Sequence, residues 1–213
     1  MNSFASIATA FVIAMLLPLG AVAQSTRNWN FRVFLDNDPI GTQRFTLTPQ
    51  GDERELHSEA RFDVKVLFIT AYRYRHEATE RWQGDCLRSI SSRTDDDGKL
   101  LSVKSQRESE RLKIASTHGS ETLEGCVMTF AYWNPAILTQ SRLLNPQTGA
   151  YEKVAVSLVA DEVIDVRGQP TQARHYRITG PERPIDLWYG VDGDWLALQS
   201  TVAGGKRLSY RLE

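Results

Sequence analysis

The chain has 213 residues and a formal net charge of −1, with 41% hydrophobic residues and two cysteines. This near-neutral charge gives no reason to expect a nucleic acid as a partner, because proteins that bind nucleic acids carry a strong basic patch. A chain of this length fits one domain.

The N-terminus carries an apolar run over residues 10–19, followed by the small-residue pattern A-V-A at positions 21–23. This order predicts a signal peptide over residues 1–23 that is cleaved after the last of these small residues. The alternative is an uncleaved anchor over residues 4–23, about the length that spans a bilayer. We therefore expect a periplasmic or secreted protein whose mature part, residues 24–213, is one all-β domain without a membrane span.

The two cysteines are Cys86 and Cys126. An even cysteine count in an exported chain predicts one disulfide between them. A redox-active pair is the alternative, but the chain has no C-x-x-C motif to support it.

Most of the remaining sequence alternates between apolar and polar residues. In "ELHSEARFDVKV", Leu56, Ala60, Phe62 and Val64 fall on one face, and charged residues occupy the other. Such strands, separated by Gly- and Asp-containing turns at intervals of roughly 8–12 residues, indicate an antiparallel sandwich or barrel. A membrane-spanning barrel would need an apolar outer band, which these charged faces do not provide.

One stretch, "FAYWNPAILTQSRLLNPQTG", breaks the alternation. Asn134 is a suitable N-cap and Pro135 suits the first helical position, whereas Asn145-Pro146 should end a helix. We therefore predict one short helix near residues 134–144. It would be either a plug that closes one end of a barrel or a lid over a ligand, and the plug is the simpler interpretation.

The strand "AYRYRHEATERW", residues 71–82, has an inward face that is aromatic with polar tips, while its other face is charged. Such a lining is typical of a ligand cavity, and the alternative is a core whose polar groups satisfy one another. With two aromatic residues of the irregular stretch, the candidate ligand-binding residues are Tyr72, Tyr74, His76, Glu80, Trp82, Tyr132 and Trp133.

No motif indicates catalysis, a metal or a cofactor. His76 and Glu80 lie four residues apart on a strand, roughly 13 Å, so they cannot share an ion unless another strand supplies ligands. His175 alternates with apolar neighbours and should face solvent, and Asp186 beside a tryptophan suits a surface pair. The sequence has no zinc spacing, calcium loop, G-x-S-x-G motif or nucleotide fingerprint. We therefore assign no catalytic residue, metal or cofactor.

Several segments together carry a resemblance: "PIG", "ERWQGDCL", "FAYWNP", "LLNPQTG", and "IDLWYG" followed by "DGDWLALQS". They resemble an uncharacterised family of exported bacterial proteins, a domain of unknown function. The C-terminal part is distantly similar to a second uncharacterised periplasmic family that is placed among lipocalin-like β-barrels. The resemblance implies an all-β, exported barrel or half-barrel, and it implies no activity or substrate.

Three functions fit these observations. The first is binding or carriage of a hydrophobic or amphipathic, lipid-like small molecule, based on the aromatic inward face. The second is a structural or assembly factor of the cell envelope that binds another protein through a sheet edge. The third is an enzyme that uses His76 and Glu80 as acid and base. We favour the first.

Overall fold

The computed structural model describes residues 25–66 and 68–213 of the chain. The predicted signal peptide, residues 1–23, lies outside the described residues. Among these residues, no helix is long and apolar enough to cross a membrane.

The described residues form a large antiparallel sheet, which confirms the all-β prediction. Thirteen of their strands make one sheet, in the order β11-β12-β13-β14-β15-β1-β2-β3-β4-β5-β6-β7-β8, and β9 pairs with β10 separately. The strands are β1 (Arg27–Leu35), β2 (Asp38–Gln50), β3 (Glu53–Val66), β4 (Ile69–Gln83), β5 (Cys86–Asp96), β6 (Lys99–Glu108), β7 (Arg111–Ser116), β8 (Gly119–Glu124), β9 (Arg142–Leu144), β10 (Tyr151–Lys153), β11 (Ala155–Val166), β12 (Gln169–Thr179), β13 (Ile185–Gly190), β14 (Trp195–Thr201) and β15 (Arg207–Leu212).

Tight turns join neighbouring strands in chain order. Between β5 and β6, Asp97 and Gly98 have φ angles of 52° and 89°. This pair of positive angles is typical of a two-residue hairpin turn, and the backbone N–H of Gly98 donates to Asp95 Oδ1 at 2.7 Å. The Asp-Gly sequence therefore forms the hairpin turn that it predicts.

Residues 125–154, between β8 and β11, form the segment that we call the plug. Both ends of the sheet pack against it. The buried core contains Val103, Leu112, Ile114 and Leu123 from β6–β8, Ile178, Leu187, Trp195 and Leu198 from β12–β14, and Val127, Met128, Ala131, Trp133, Ile137, Leu143 and Leu144 from the plug. Because distant strands cover one segment, the sheet curls around it, and we call the face that packs on the plug the inner face.

The plug is fastened to β5 at several points. Cys86 and Cys126 form the predicted disulfide, with their Cα atoms 5.0 Å apart. Next to it, the backbone N–H of Leu87 donates to the carbonyl oxygen of Val127 at 2.9 Å. Farther along β5, the hydroxyl of Ser92 donates to a carbonyl oxygen of the plug at 2.5 Å. These bonds give the plug a defined position against the inner face.

The sheet does not close into a barrel. Within the described residues, β8 and β11 are its two edges and do not pair with each other. The chain leaves β8 for the plug rather than for a further sheet strand, and the plug covers the apolar inner face of both ends. The closed-barrel form of the prediction is therefore wrong.

The prediction of a single helix near residues 134–144 is also wrong. Asn134 does act as an N-cap, and its side chain accepts from the backbone N–H of Ala136 at 3.0 Å. However, it begins only a 3-10 turn, Pro135–Thr139, and Arg142–Leu144 continues as strand β9. Leu144 exchanges backbone hydrogen bonds with Met128 and Phe130 of the plug. This pairing prevails because so short a helix is marginal by itself. A second 3-10 turn lies at Ala203–Gly205.

Candidate binding cavity on the inner face

Alternation on β4 places the predicted polar groups on the inner face. Tyr72 and Tyr74 are partly buried, and His76, Glu80 and Trp82 are buried. The strand is flanked by β3 and β5 along most of its length, so its inner-face side chains lie in the middle of a wall. The period-two interpretation of this strand is correct.

His76 is a neutral hydrogen-bonding group in this wall. His76 is only 8% exposed. Its Nδ1 lies 2.8 Å from the hydroxyl oxygen of Thr94, the residue opposite it on β5. Burial lowers the pKa of His76 to about 4, because desolvation disfavours the imidazolium. The imidazole is therefore uncharged at neutral pH and has one donor and one acceptor nitrogen.

Glu80 is a buried carboxyl with two donors on one oxygen. Oε2 accepts from the indole nitrogen of Trp82 at 3.0 Å and from the hydroxyl of Thr129 at 3.2 Å. Burial raises the pKa of Glu80 to about 7, although these two hydrogen bonds act in the opposite direction. Both hydrogen bonds that the described residues make to this carboxyl fall on Oε2. Oε1 is therefore left for a further donor.

His76 and Glu80 do not form an acid–base pair with each other. No hydrogen bond or ion pair joins them among the described residues, and their spacing on the strand is roughly 13 Å. The described residues also contain no cluster of three or more metal-ligating side chains. His76 and Glu80 are therefore two separate hydrogen-bonding groups of the wall.

Aromatic rings build the rest of the wall. Tyr74 stacks on Phe62 with ring centroids 5.2 Å apart, and Tyr210 meets the same ring edge-on at 6.2 Å. Tyr132 of the plug lies 5.5 Å from Trp195 on β14. Burial raises the pKa of Tyr74, Tyr132 and Tyr210, so these residues remain neutral phenols. Neutral phenols give a mostly apolar wall with hydrogen-bonding tips.

Two adjoining cavities lie against this wall. The first, which we call the polar compartment, has a volume of about 250 Å³. The second, the apolar compartment, has a volume of about 550 Å³. They share four lining residues: Tyr74, Gln147, Leu208 and Tyr210. Known ligand pockets have volumes of about 300–1,000 Å³. The apolar compartment lies within this range, and the polar compartment lies just below it.

The two compartments differ in chemistry. The polar compartment is lined by polar side chains together with aromatic rings. Its polar residues include Gln43, Ser58, His76, Glu80, Asn145, Gln147, Glu152 and Ser200. The apolar compartment is lined mainly by Leu35, Ile40, Phe62, Val64, Tyr72, Val202, Ala203 and Leu208, with Asp96 and Lys206 as its charged residues. An apolar space beside a polar one matches the two parts of an amphipathic molecule.

One buried donor in the wall of the polar compartment has no hydrogen-bond partner within the part of the chain that the structure describes. Trp133 lines this compartment and is 3% exposed. Its indole N–H makes no hydrogen bond with the described residues. Leaving such a donor unpaired costs free energy, about 1–3 kcal/mol. Among the described residues, Glu80 Oε1 is an acceptor beside the compartment without a hydrogen-bond partner, whereas the Trp133 indole nitrogen is enclosed within the wall.

The predicted site residues are mostly brought together. Tyr74, His76, Glu80, Tyr132 and Trp133 line the polar compartment, and Tyr72 lines the apolar one. Trp82 does not reach either cavity. It is fully buried behind the wall, where it donates to Glu80 and packs edge-on against Trp133.

Sequence reasoning missed several lining residues. Gln43 and Ser58 follow the alternation of β2 and β3, so their strands alone indicated an inward position. Gln147 and Glu152 come from the plug, and Tyr210 comes from the last strand. No local pattern places these three beside β4, because their positions depend on how the sheet curls.

A second polar cluster lies on the outer face, away from the cavities. Asp186 accepts from Arg177 Nε at 2.8 Å and lies 2.7 Å from His175 Nε2. The other ring nitrogen of His175 lies 3.2 Å from Glu162, and the ring stacks on Trp188 at 4.4 Å. His175 and Asp186 thus lie on the outer face, as expected, but their side chains are only 12% exposed.

Comparison with known proteins places the chain in a family. A search of curated proteins found no match. The family model "Domain of unknown function (DUF6134)" matches residues 31–213, most of the chain. This match confirms the resemblance to a domain of unknown function, whereas export and the second family remain predictions. The chain belongs to the DUF6134 family.

Proposed function

We propose that this protein binds an amphipathic, lipid-like small molecule inside its curled sheet. The apolar part of the ligand lies in the apolar compartment, and its polar part lies in the polar compartment. The observation that carries the proposal is the juxtaposition of two cavities of opposite chemistry that share Tyr74 and Tyr210. Ligand pockets are typically apolar with a few placed polar groups.

We also propose that the protein works after export, in the periplasm or outside the cell. The disulfide between Cys86 and Cys126 supports this, because structural disulfides persist in oxidising compartments. The predicted signal peptide over residues 1–23 supplies the route. Sequencing the N-terminus of protein purified from the periplasm tests this proposal, and a mature chain that starts at Met1 contradicts it.

Binding is tested with protein purified without detergent. Native mass spectrometry should show a bound small molecule, and tryptophan fluorescence should change on titration with single-chain amphiphiles, because Trp133 lines the polar compartment. A ligand-free spectrum together with unchanged fluorescence across the whole panel refutes the proposal.

A pair of matched variants separates the cavity from the rest of the surface. Val64→Trp places a bulky side chain in the apolar compartment, and binding should fall by at least about tenfold. Val163→Trp makes the same substitution on β11 at a residue that is 55% exposed and lies outside both cavities, so it should bind like the wild type. Equal binding by both variants contradicts the assignment of the cavity.

A second candidate function is binding to another protein through the edge strand β11. Within residues 25–66 and 68–213, this strand pairs on one side only. It exposes Leu158, Val159 and Val163, with exposed fractions of 56%, 47% and 55%. An exposed apolar edge is suited to pairing with a strand of another chain. A crosslinking group placed at residue 159 should capture one dominant partner protein in cells. A diffuse set of products argues against this function.

A further inference from the structure

The residues around the polar compartment also specify the head group of the ligand. We infer that this head group is uncharged or cationic and donates a hydrogen bond to Glu80, and that the compartment rejects anionic head groups. This inference rests on the proposed binding function and adds the chemical class of the ligand.

The charges of the lining support this selection. Among its described lining residues, the polar compartment contains two carboxyl groups, Glu80 and Glu152, and no lysine or arginine. His76 also lines it, as a buried imidazole beside Thr94. A buried anion requires a cationic partner or several donors, because transferring an unpaired charge out of water is costly. A carboxylate or phosphate head group would find two acidic side chains there instead.

Two arginines, Arg54 and Arg142, pack on aromatic rings of the plug. Arg54 lies over the Trp133 ring, 4.9 Å from its centroid, and its guanidinium lies 3.7 Å from Asp85. Arg142 stacks over Tyr151 and donates to its carbonyl oxygen at 2.7 Å. Neither arginine is among the residues that line the compartment. Neither therefore supplies the positive charge that an anionic head group needs.

The two carboxyl groups are arranged to accept hydrogen bonds. Glu80 receives both of its protein hydrogen bonds on Oε2, from Trp82 and Thr129. Glu152 accepts from the side-chain amide of Asn145 at 2.8 Å on Oε1. In each case the second oxygen has capacity for another donor. An ammonium or hydroxyl head group provides such a donor, and a carboxylate head group does not.

The competing arrangement would place an anionic head group at Lys206, in the apolar compartment. Lys206 is exposed and also lines a third crevice with Lys65, Asp38 and Asp63. Two acidic residues therefore accompany the two lysines. This balance weakens the attraction for an anion, and the experiment below tests the arrangement directly.

The experiment compares amphiphiles that share a dodecyl chain and differ in the head group. The probes are dodecylamine, dodecyltrimethylammonium, the monoglyceride of dodecanoic acid, and dodecanoate. Binding is measured by calorimetry below the micelle concentration at about pH 8, above the pKa of Glu80. Dodecylamine and the monoglyceride should bind at least about tenfold more tightly than dodecanoate. Dodecylamine should also bind more tightly than dodecyltrimethylammonium, whose head group carries a positive charge but no hydrogen-bond donor.

Variants connect the preference to Glu80. In Glu80→Gln, the amide oxygen can still accept from Trp82 and Thr129, and the preference for dodecylamine over dodecanoate should fall several-fold. Glu77→Gln, on the exposed face of the same strand, is the matched control and should keep the wild-type preference. If Glu80→Gln does not fold, Glu152→Gln should reduce the same preference.

The outcomes separate the two proposals. If dodecanoate binds as tightly as dodecylamine, and Lys206→Met abolishes that binding, the inferred head group is wrong while the binding function stands. If the preference for donors persists unchanged in both Glu80→Gln and Glu152→Gln, the inference also fails. If none of the four probes binds, the proposed function itself fails, and the inference with it.

Discussion

Replacing Glu80 with Gln should make the stability of this protein rise with pH in a range where the wild type stays nearly level. The reason is that Glu80 and His76 are both buried on the inner face and titrate in overlapping ranges with opposite effects on stability. Burial raises the pKa of Glu80 from 4.5 to about 7, and it lowers the pKa of His76 from 6.5 to about 4.

The sign differs for the two groups. Between pH 4.5 and about 7, the folded state binds the Glu80 proton more tightly than the unfolded state does, so stability decreases as pH rises. Between about pH 4 and 6.5, the unfolded state binds the His76 proton more tightly, so stability increases as pH rises. Each change amounts to about 3 kcal/mol, and in the shared range the two offset each other.

Single variants should reveal each contribution. In Glu80→Gln, the free energy of unfolding should gain about 3 kcal/mol between about pH 4 and 6.5, which is the effect of His76 alone. In His76→Gln, it should lose about 3 kcal/mol between pH 4.5 and about 7, which is the effect of Glu80 alone. In the double variant, these two groups should again leave the free energy of unfolding nearly independent of pH.

The assay is urea unfolding at a series of pH values, followed by tryptophan fluorescence. The difference between variant and wild type removes the titration of other groups such as Asp63, whose pKa is lowered by its hydrogen bond with Arg75. The reasoning is refuted if Glu80→Gln and the wild type show the same pH dependence. In that case Glu80 does not titrate with a raised pKa in the folded protein.

Three further predictions concern stability. Replacing Cys86 and Cys126 with Ala should lower the free energy of unfolding by up to about 4 kcal/mol in urea, because the bridge closes a loop with a sequence separation of 40; an unchanged midpoint contradicts this. Gly180→Ala should lower the free energy of unfolding by about 3 kcal/mol, because its φ is +115° and a Cβ there would lie 2.1 Å from a plug carbonyl oxygen. Gly168→Ala, where φ is +78° and the space is open, should lower it by about 1 kcal/mol. Equal thermal shifts for the two variants would show that the close approach has no effect. Ile137→Ala removes a fully buried plug side chain and should cost about 3 kcal/mol by the same urea assay, and a loss under about 1 kcal/mol argues that the plug packs loosely.

The sequence predicts those parts of the fold that depend on local alternation. Period two in β4 correctly separates the inward Tyr74 and His76 from the outward Arg73 and Arg75, because neighbouring side chains of a strand point to opposite faces. Turn chemistry likewise places the Asp97-Gly98 hairpin. These features need no information from distant parts of the chain.

Features that depend on distant contacts are not predicted. Asn134 and Pro135 correctly signal the start of a helical turn, but its length is set by the pairing of Leu144 with Met128. Whether the sheet closes depends on β8 and β11, which are separated by the whole plug. For the same reason, the sequence could identify His76 as inward but could not place Tyr210 in the same cavity lining.

The inner face also bears on whether the plug seals a filled core or lies beside a binding cavity. A scaffold gains most from an apolar interior, and replacing buried polar groups with well-packed apolar ones is often neutral or stabilising. Here Glu80 and His76 each cost about 3 kcal/mol in their charged forms, and the indole N–H of Trp133 has no partner among the described residues. All three residues line one compartment. Such a concentration of costly groups at one place is typical of a site that acts on a ligand, because function is the common reason for a protein to keep them. In the proposed binding function, the plug is therefore one wall of the site, because it supplies Tyr132 and Trp133 to the polar compartment.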